Sequence, residues 1–313
     1  MRERKALRSS AHAVVRHGLA LLVWLVAGCW FALAQVQPAL IGVLEDTPRH
    51  FAGDTRYPVV RAVFYKEGER WRAFPSDCRD PECLKTITAK YPREVDWTIT
   101  FDGRQLGKVT SRTPQAFEFY ANVGQQVITS KNVPPIVGPP SREFGDFLGE
   151  PVYRPLIAVS QPNYRDPDGW KPAKLSESTT LAVRRQFRKQ FPKATNCLKS
   201  QPDKVVPWKY EDSNIMVQKA YASKRNWMVA SVLLSPYRCD GPPDGPFAVQ
   251  WFVITPQQKV RWLDSNMWLV DAADYDGNGK SELVFAIDGY NRGGYRLFYD
   301  DFRQRAEFEF SYH

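Results

Sequence analysis

The sequence predicts a mainly β protein: an antiparallel meander of short strands, propeller-like or a sandwich, with one amphipathic helix near residues 176–191. Three observations predict this. With 24 Pro and 19 Gly in 313 residues, the chain is interrupted too often for long helices. Short aromatic and β-branched runs recur between clusters of Gly, Pro, Asn and Asp. Only one segment carries apolar residues at clear helical spacing. A composition 43% hydrophobic and 13% aromatic supplies a core for one large or two ordinary domains and excludes a disordered chain.

At the N-terminus, Arg2, Arg4, Lys5, Arg8 and Arg16 stand against the single acid Glu3, and an apolar stretch runs from Gly18 to Ala34. That is the pattern of a secretory signal. Ala32-Leu33-Ala34 places small residues before Gln35, so residues 1–34 read as a signal peptide cleaved there. An alternative is Val26-Ala27-Gly28-Cys29, which resembles a bacterial lipobox and would leave Cys29 lipidated. The apolar stretch lies at the bottom of the membrane-spanning range, and no later segment could span. Losing five basic residues and one acidic residue takes the formal charge from +9 to +5. So mild an excess does not call for nucleic acid.

Cleavage before Gln35 leaves Cys78, Cys83, Cys197 and Cys239, an even number suited to an oxidising compartment. Four cysteines allow three pairings. The favoured one joins Cys78 to Cys83 across the turn-rich Cys-Arg-Asp-Pro-Glu-Cys, and Cys197 to Cys239. A zinc site would need a second pair of ligands that the isolated Cys197 and Cys239 do not provide.

From Tyr57 onward the strands follow in order. Residues 59–65 and 71–74 flank a Glu67-Gly68 turn, and 96–101 and 105–109 flank Asp102-Gly103, a type I′ hairpin signal. Val133 to Pro140 is too rich in proline for a ladder; it marks a boundary between a β-rich region 35–140 and a β-rich region 141–313. The helix opens near Ser176, spaces Val183, Phe187 and Phe191 at four, and stops at Pro192. Arg184, Arg185, Arg188 and Lys189 read as its solvated flank, with a docking patch for an anionic partner as the alternative. Strands return at 215–221, 227–234, 248–254 and 260–263, with a Pro-rich loop at 239–246.

One stretch specifies chemistry through residue type and spacing together: Asp274-Tyr275-Asp276-Gly277-Asn278-Gly279-Lys280-Ser281-Glu282. A hard cation wants six to eight oxygens, which Asp274, Asp276 and Asn278 at positions 1, 3 and 5, the Lys280 carbonyl at 7 and Glu282 at 9 would largely supply. Gly279 permits the sharp turn. An EF-hand is excluded, because position 12 is Phe285 and the flanks, 268–270 and 283–287, are strand-like. From Trp268 to Tyr290 the chain resembles the FG-GAP or integrin-type calcium loop of β-propeller blades. The resemblance implies a propeller-like body that uses structural calcium to pin an inter-strand loop, often in adhesion or ligand-binding proteins. Here it has one good copy, since Asp166-Pro-Asp168-Gly169 is too degenerate to count. The tail through Tyr299-Asp300-Asp301-Phe302 also looks like the C-terminus of uncharacterised exported bacterial proteins, which implies no activity.

Beyond residue 34 the only histidines are His50 and His313, so histidine catalysis is disfavoured. Neither Gly-x-Ser-x-Gly nor a P-loop is present. Asp288, Asp300 and Asp301 read as acids of hairpin turns, the Asp288–Gly294 stretch being a long one. The expectation is therefore a non-enzymatic exported module that binds a macromolecule or glycan, with Trp170, Trp208 and Trp227 as the aromatic patch to inspect. The alternatives are a carboxylate-based hydrolase acting on glycans and an envelope lipoprotein of structural role.

Overall fold

The computed structural model describes residues 38–48, 56–78, 80–101, 103–135, 155–162, 164–289 and 291–311. Residues 1–34, expected to be a signal peptide, lie outside them with Cys29, as do Asp102, His50, His313 and positions 136–140 of the Pro-rich segment. The fold is mainly β with antiparallel sheets. From Ala39 onward the chain belongs to one compact unit.

The first sheet is built from β1 (Leu40–Pro48), β2 (Arg56–Glu67), β3 (Arg70–Ala73), β4 (Glu94–Phe101), β5 (Arg104–Arg112), β6 (Gln125–Ile128) and β7 (Leu156–Val159). Six strands run in the order β1-β7-β4-β5-β6-β2, and the β1–β2 pairing closes them into an antiparallel barrel. β3 pairs with the Phe64–Glu67 end of β2. Closure removes the exposed edges that open sheets must protect. The barrel needs a bare backbone at Gly42, where a Cβ would lie 2.8 Å from Val60 Cγ1 and 3.1 Å from Trp97. Trp97 is 1% exposed, and its Nε1 donates to Ser111 Oγ at 2.7 Å, which donates on to Gln126. The buried indole thus keeps its hydrogen bond.

The short helix α1 (Pro81–Thr88) was not anticipated: the Cys-Arg-Asp-Pro-Glu-Cys stretch reads as a turn but opens a helix. Asp80 is its N-cap, accepting from the Cys83 amide at 2.9 Å, and Pro81 has the fixed φ suited to a first turn. Both favoured cysteine pairs are formed, Cys78 with Cys83 and Cys197 with Cys239.

The anticipated helix is α2 (Glu177–Gln190), capped by Ser176, whose hydroxyl accepts from the Thr179 amide. Its buried side, Thr179, Val183 and Phe187, faces a five-stranded sheet. That sheet contains β8 (Lys171–Pro172), β11 (Ile215–Ala222), β12 (Met228–Leu234), β13 (Gln250–Ile254) and β14 (Val260–Ser265), in the order β14-β13-β12-β11-β8. Between α2 and β11, β9 (Ala194–Leu198) and β10 (Gln201–Trp208) pair only with each other.

The last sheet is a meander of β15 (Met267–Ala273), β16 (Glu282–Gly289), β17 (Arg292–Tyr299) and β18 (Gln304–Ser311). The sequence reading put a long turn at Asp288–Gly294; instead the strands continue until Gly289 pairs with Arg292. Asn291, at φ 61°, adopts the left-handed conformation such a tight turn demands. Val270, Val284, Leu297 and Phe308 share a core with the barrel. Leu269, Leu283, Phe285 and Phe298 share another with Trp251 and Val253 of the five-stranded sheet. The layers therefore run barrel, meander, five-stranded sheet, helix.

Candidate metal centre in the β15–β16 loop

Residues 274–281 connect two paired strands of the central meander. The loop curls because its own side chains take up its backbone amides. Asp274 accepts from Asn278 N at 2.9 Å and from Gly279 N at 2.8 Å, and Asn278 Oδ1 accepts from Lys280 N at 2.8 Å. Gly277 and Gly279 both have positive φ, 75° and 84°. Gly279 is where the sequence demanded glycine.

The curl brings Asp274, Asp276 and Glu282 together, each offering a carboxylate oxygen within 4.8 Å of the others. Glu282 is 1% exposed; its Oε2 accepts from Tyr275 N at 2.9 Å and its Oε1 faces Asn278 Nδ2 at 3.4 Å. Burial first, and then the neighbouring Asp276 charge, pushes its pKa up to about 8. Burial also raises the Asp274 pKa, against the pull of the Gly279 amide. Of the five sequence-predicted residues, Asp274, Asp276 and Glu282 converge and Asn278 stands against Glu282. The Lys280 side chain turns elsewhere, its Nζ lying 3.3 Å from Asp301 and 4.0 Å from Asp300.

Two neighbours escaped the sequence reading. Lys66, on β2 of the barrel, forms an ion pair with Asp276, and its ammonium lies 5.2 Å from the Trp71 ring. No local signal could join residues so far apart in the chain. The Asp166–Gly169 turn braces the loop from the other side. Asp274 N donates to Arg165 O at 2.8 Å, Ser281 Oγ to Asp166 at 2.6 Å, and Ser281 N to Asp168 at 3.1 Å. Asp168 in turn holds Arg225, which also reaches Asp301. Burial opposes ionisation of Asp301, but Arg225 and Lys280 hold its carboxyl below the ordinary range. Asp166-x-Asp168-Gly169 resembles a degenerate ion loop in sequence; in the structure it is a clamp on the real candidate.

The other anticipated sites are placed differently. Asp300 accepts from Arg303 at 2.5 Å, and Asp300, Asp301 and Phe302 form a turn with positive φ. The Asp288 side chain lies outside the described residues. Trp170 and Trp227 are half-buried against Phe302 in one core, while Trp208 stacks on Phe247 in another. The three therefore do not make one patch.

No family model, curated protein or solved structure matches the chain.

Proposed function

We propose that this is an exported β protein stabilised by calcium, working as a non-enzymatic binding or adhesion-type module for a macromolecule or glycan. The observation that carries the reading is the convergence of Asp274, Asp276 and Glu282. Three carboxylates this close repel one another, and a divalent cation relieves that repulsion better than the single Lys66 ammonium. Side-chain oxygens of Asp274, Asp276, Asn278 and Glu282, with the Lys280 carbonyl, would form an oxygen shell suited to calcium, as in the FG-GAP-type loops that this hairpin resembles. The two disulfides suit an exported setting.

Thermal melts with millimolar calcium or a chelator test it, on the wild type and on Asp276→Ala. The expected result is a calcium-dependent rise in the wild type that is absent from the variant. No rise in the wild type would reduce the segment to a turn and remove the calcium reading.

A further inference from the structure

Outside the first 34 residues the chain carries a net +5, and its distribution is uneven. Residues 171–210 contain ten Lys and Arg against Glu177 and Asp203, a net +8; residues 35–170 are neutral and residues 211–313 carry −3. This segment comprises β8, α2 and the β9–β10 hairpin. The surroundings contribute Arg238 and the acids Glu211, Asp212, Asp240 and Asp244, which reduce the excess without cancelling it.

The pairing of these cations is as uneven as their number. Elsewhere Arg61, Lys66, Arg72, Arg112, Arg225, Lys280, Arg292, Arg296, Arg303 and Arg305 all have acidic partners. In 171–210 only Arg188 has one, Asp212. Arg184, Arg185, Lys189, Lys193, Lys199, Lys204 and Lys209 pair with no acid among the described residues. Arg184 Nε is also buried without a hydrogen-bond partner. Unpaired cations also occur elsewhere, Lys85, Lys90 and Lys131 among them, but among the described residues they are nowhere so dense.

Two large aliphatic side chains are exposed within the group. Leu181, 44% exposed, lies one turn before Arg185 on α2, and Val205, 60% exposed, follows Lys204 on β10. The C-terminal end of α2 meets the segment that follows β10, since Arg188 donates to Tyr210 O and Tyr210 OH donates to Phe191 O. The charges are spread along a 14-residue helix, about 21 Å long, and along a hairpin, rather than gathered at one point. Spread cations suit a charged surface. A soluble polyanion would satisfy the cations but offer nothing to Leu181 and Val205, whereas a bilayer interface accommodates both.

We infer that α2 and the β9–β10 hairpin form a docking surface for an anionic bilayer, with Arg185, Lys189 and Lys204 on the acidic headgroups and Leu181 and Val205 at the acyl boundary. This does not depend on the calcium reading. It takes the docking-patch alternative for α2 over the solvated flank.

The test is co-sedimentation of residues 35–313, which contain the whole compact unit, with vesicles of phosphatidylcholine alone or with about 30 mol% phosphatidylglycerol. Each basic residue close to a charged bilayer multiplies partitioning about fivefold. The expected result is at least tenfold preference for the acidic vesicles, lost at about 0.5 M salt. Arg185→Glu, Lys189→Glu and Lys204→Glu together should weaken binding by at least about two orders of magnitude. Lys85→Glu, Lys90→Glu and Lys131→Glu, an equal charge change at exposed sites elsewhere, should leave it within about threefold. Circular dichroism melts verify folding, and the milder Arg185→Gln, Lys189→Gln, Lys204→Gln set replaces the reversal if it unfolds. Leu181→Ser with Val205→Ser should weaken vesicle binding several-fold but leave polyphosphate binding unchanged. Equal binding to both vesicle types, or equal loss in the two Glu triples, overturns the inference. So does binding to polyphosphate without binding to acidic vesicles, which would assign the surface to a soluble polyanion.

Discussion

Replacing Glu282 by Gln separates an ion-binding loop from a simple turn, because the two predict opposite changes. Glu282 is 1% exposed, within 4.8 Å of the Asp274 and Asp276 carboxylates, and its pKa is pushed to about 8 from an ordinary 4.5. The folded protein therefore holds the proton up to about pH 8, whereas the unfolded chain releases it near 4.5. Its contribution to stability is full below pH 4.5 and is lost as pH rises through 8. At about pH 7.5 the difference reaches about 4 kcal/mol as an upper bound. Gln keeps an oxygen for the Tyr275 amide and removes the charge. In chelator at about pH 7.5, Glu282→Gln should thus be more stable than the wild type by about 2 kcal/mol, a rise of some 4 °C or more. Calcium narrows the gap from the wild-type side alone. With a dissociation constant of about 0.1 mM, typical of extracellular modules, 1 mM calcium should stabilise the wild type by about 1.4 kcal/mol and leave the variant unmoved. Differential scanning fluorimetry in chelator and in calcium, from about pH 5 to 8, reads both effects. A variant less stable in chelator, with the calcium response intact, would refute the reasoning, since Glu282 would then be a structural acceptor only.

Three further outcomes follow from single contacts. Lys66→Met removes the ammonium beside Asp276, so calcium affinity by titration calorimetry should rise several-fold while stability in chelator falls by about 2–4 kcal/mol; an unchanged affinity would show that Lys66 does not compete for the site. Arg61→Met leaves Glu45 without its 2.8 Å ion pair and deprives the Ala121 and Val123 carbonyls of their donor, for an expected loss of about 3–5 kcal/mol in urea unfolding, and a loss below about 1 kcal/mol would contradict the buried pair. Removing Cys197–Cys239, which spans 42 residues, should cost about 4 kcal/mol against about 2 for Cys78–Cys83, which spans 5; equal losses would exclude loop closure as the cause.

What could be read from the sequence was what is local. The hairpins, the Ser176 cap, the Cys78–Cys83 pair and the loop 274–282 rest on spacings of a few residues, where periodicity and turn chemistry act directly, while Cys197–Cys239 was favoured across 42 residues alongside it. The helix α1 also had a local signal, Asp80-Pro81-Glu82, but two flanking cysteines drew attention to a turn. The strand β1 was hidden as a short apolar run close behind the apolar stretch of residues 18–34. Barrel closure was not legible, because β1 pairs with β7 more than a hundred residues later. The same holds for the site: its carboxylates lie within nine positions, whereas Lys66 and the Asp166–Gly169 clamp arrive from other layers.

The layer order explains a feature that turn spacing alone leaves obscure. In β16 the run Leu283-Val284-Phe285-Ala286 is buried without the alternation of a half-exposed antiparallel strand. The reason is position: Leu283 and Phe285 enter the core shared with the five-stranded sheet, Val284 and Ala286 the core shared with the barrel. β13 is likewise buried throughout, with Phe252 and Ile254 toward α2 and Trp251 and Val253 toward the meander. β10 has no second layer and is exposed along most of its length. The candidate ion loop thus caps the strand pair with no solvent face. It is tied by Lys66 to the barrel and, through Asp168, to Lys224 and Arg225 between β11 and β12. A cation placed there would bear on three layers at once, because each holds one end of the same hydrogen-bonded junction. Tightening such a junction raises the cost of opening any one layer, and that favours a calcium ion whose role is structural over one that signals by moving an exposed segment.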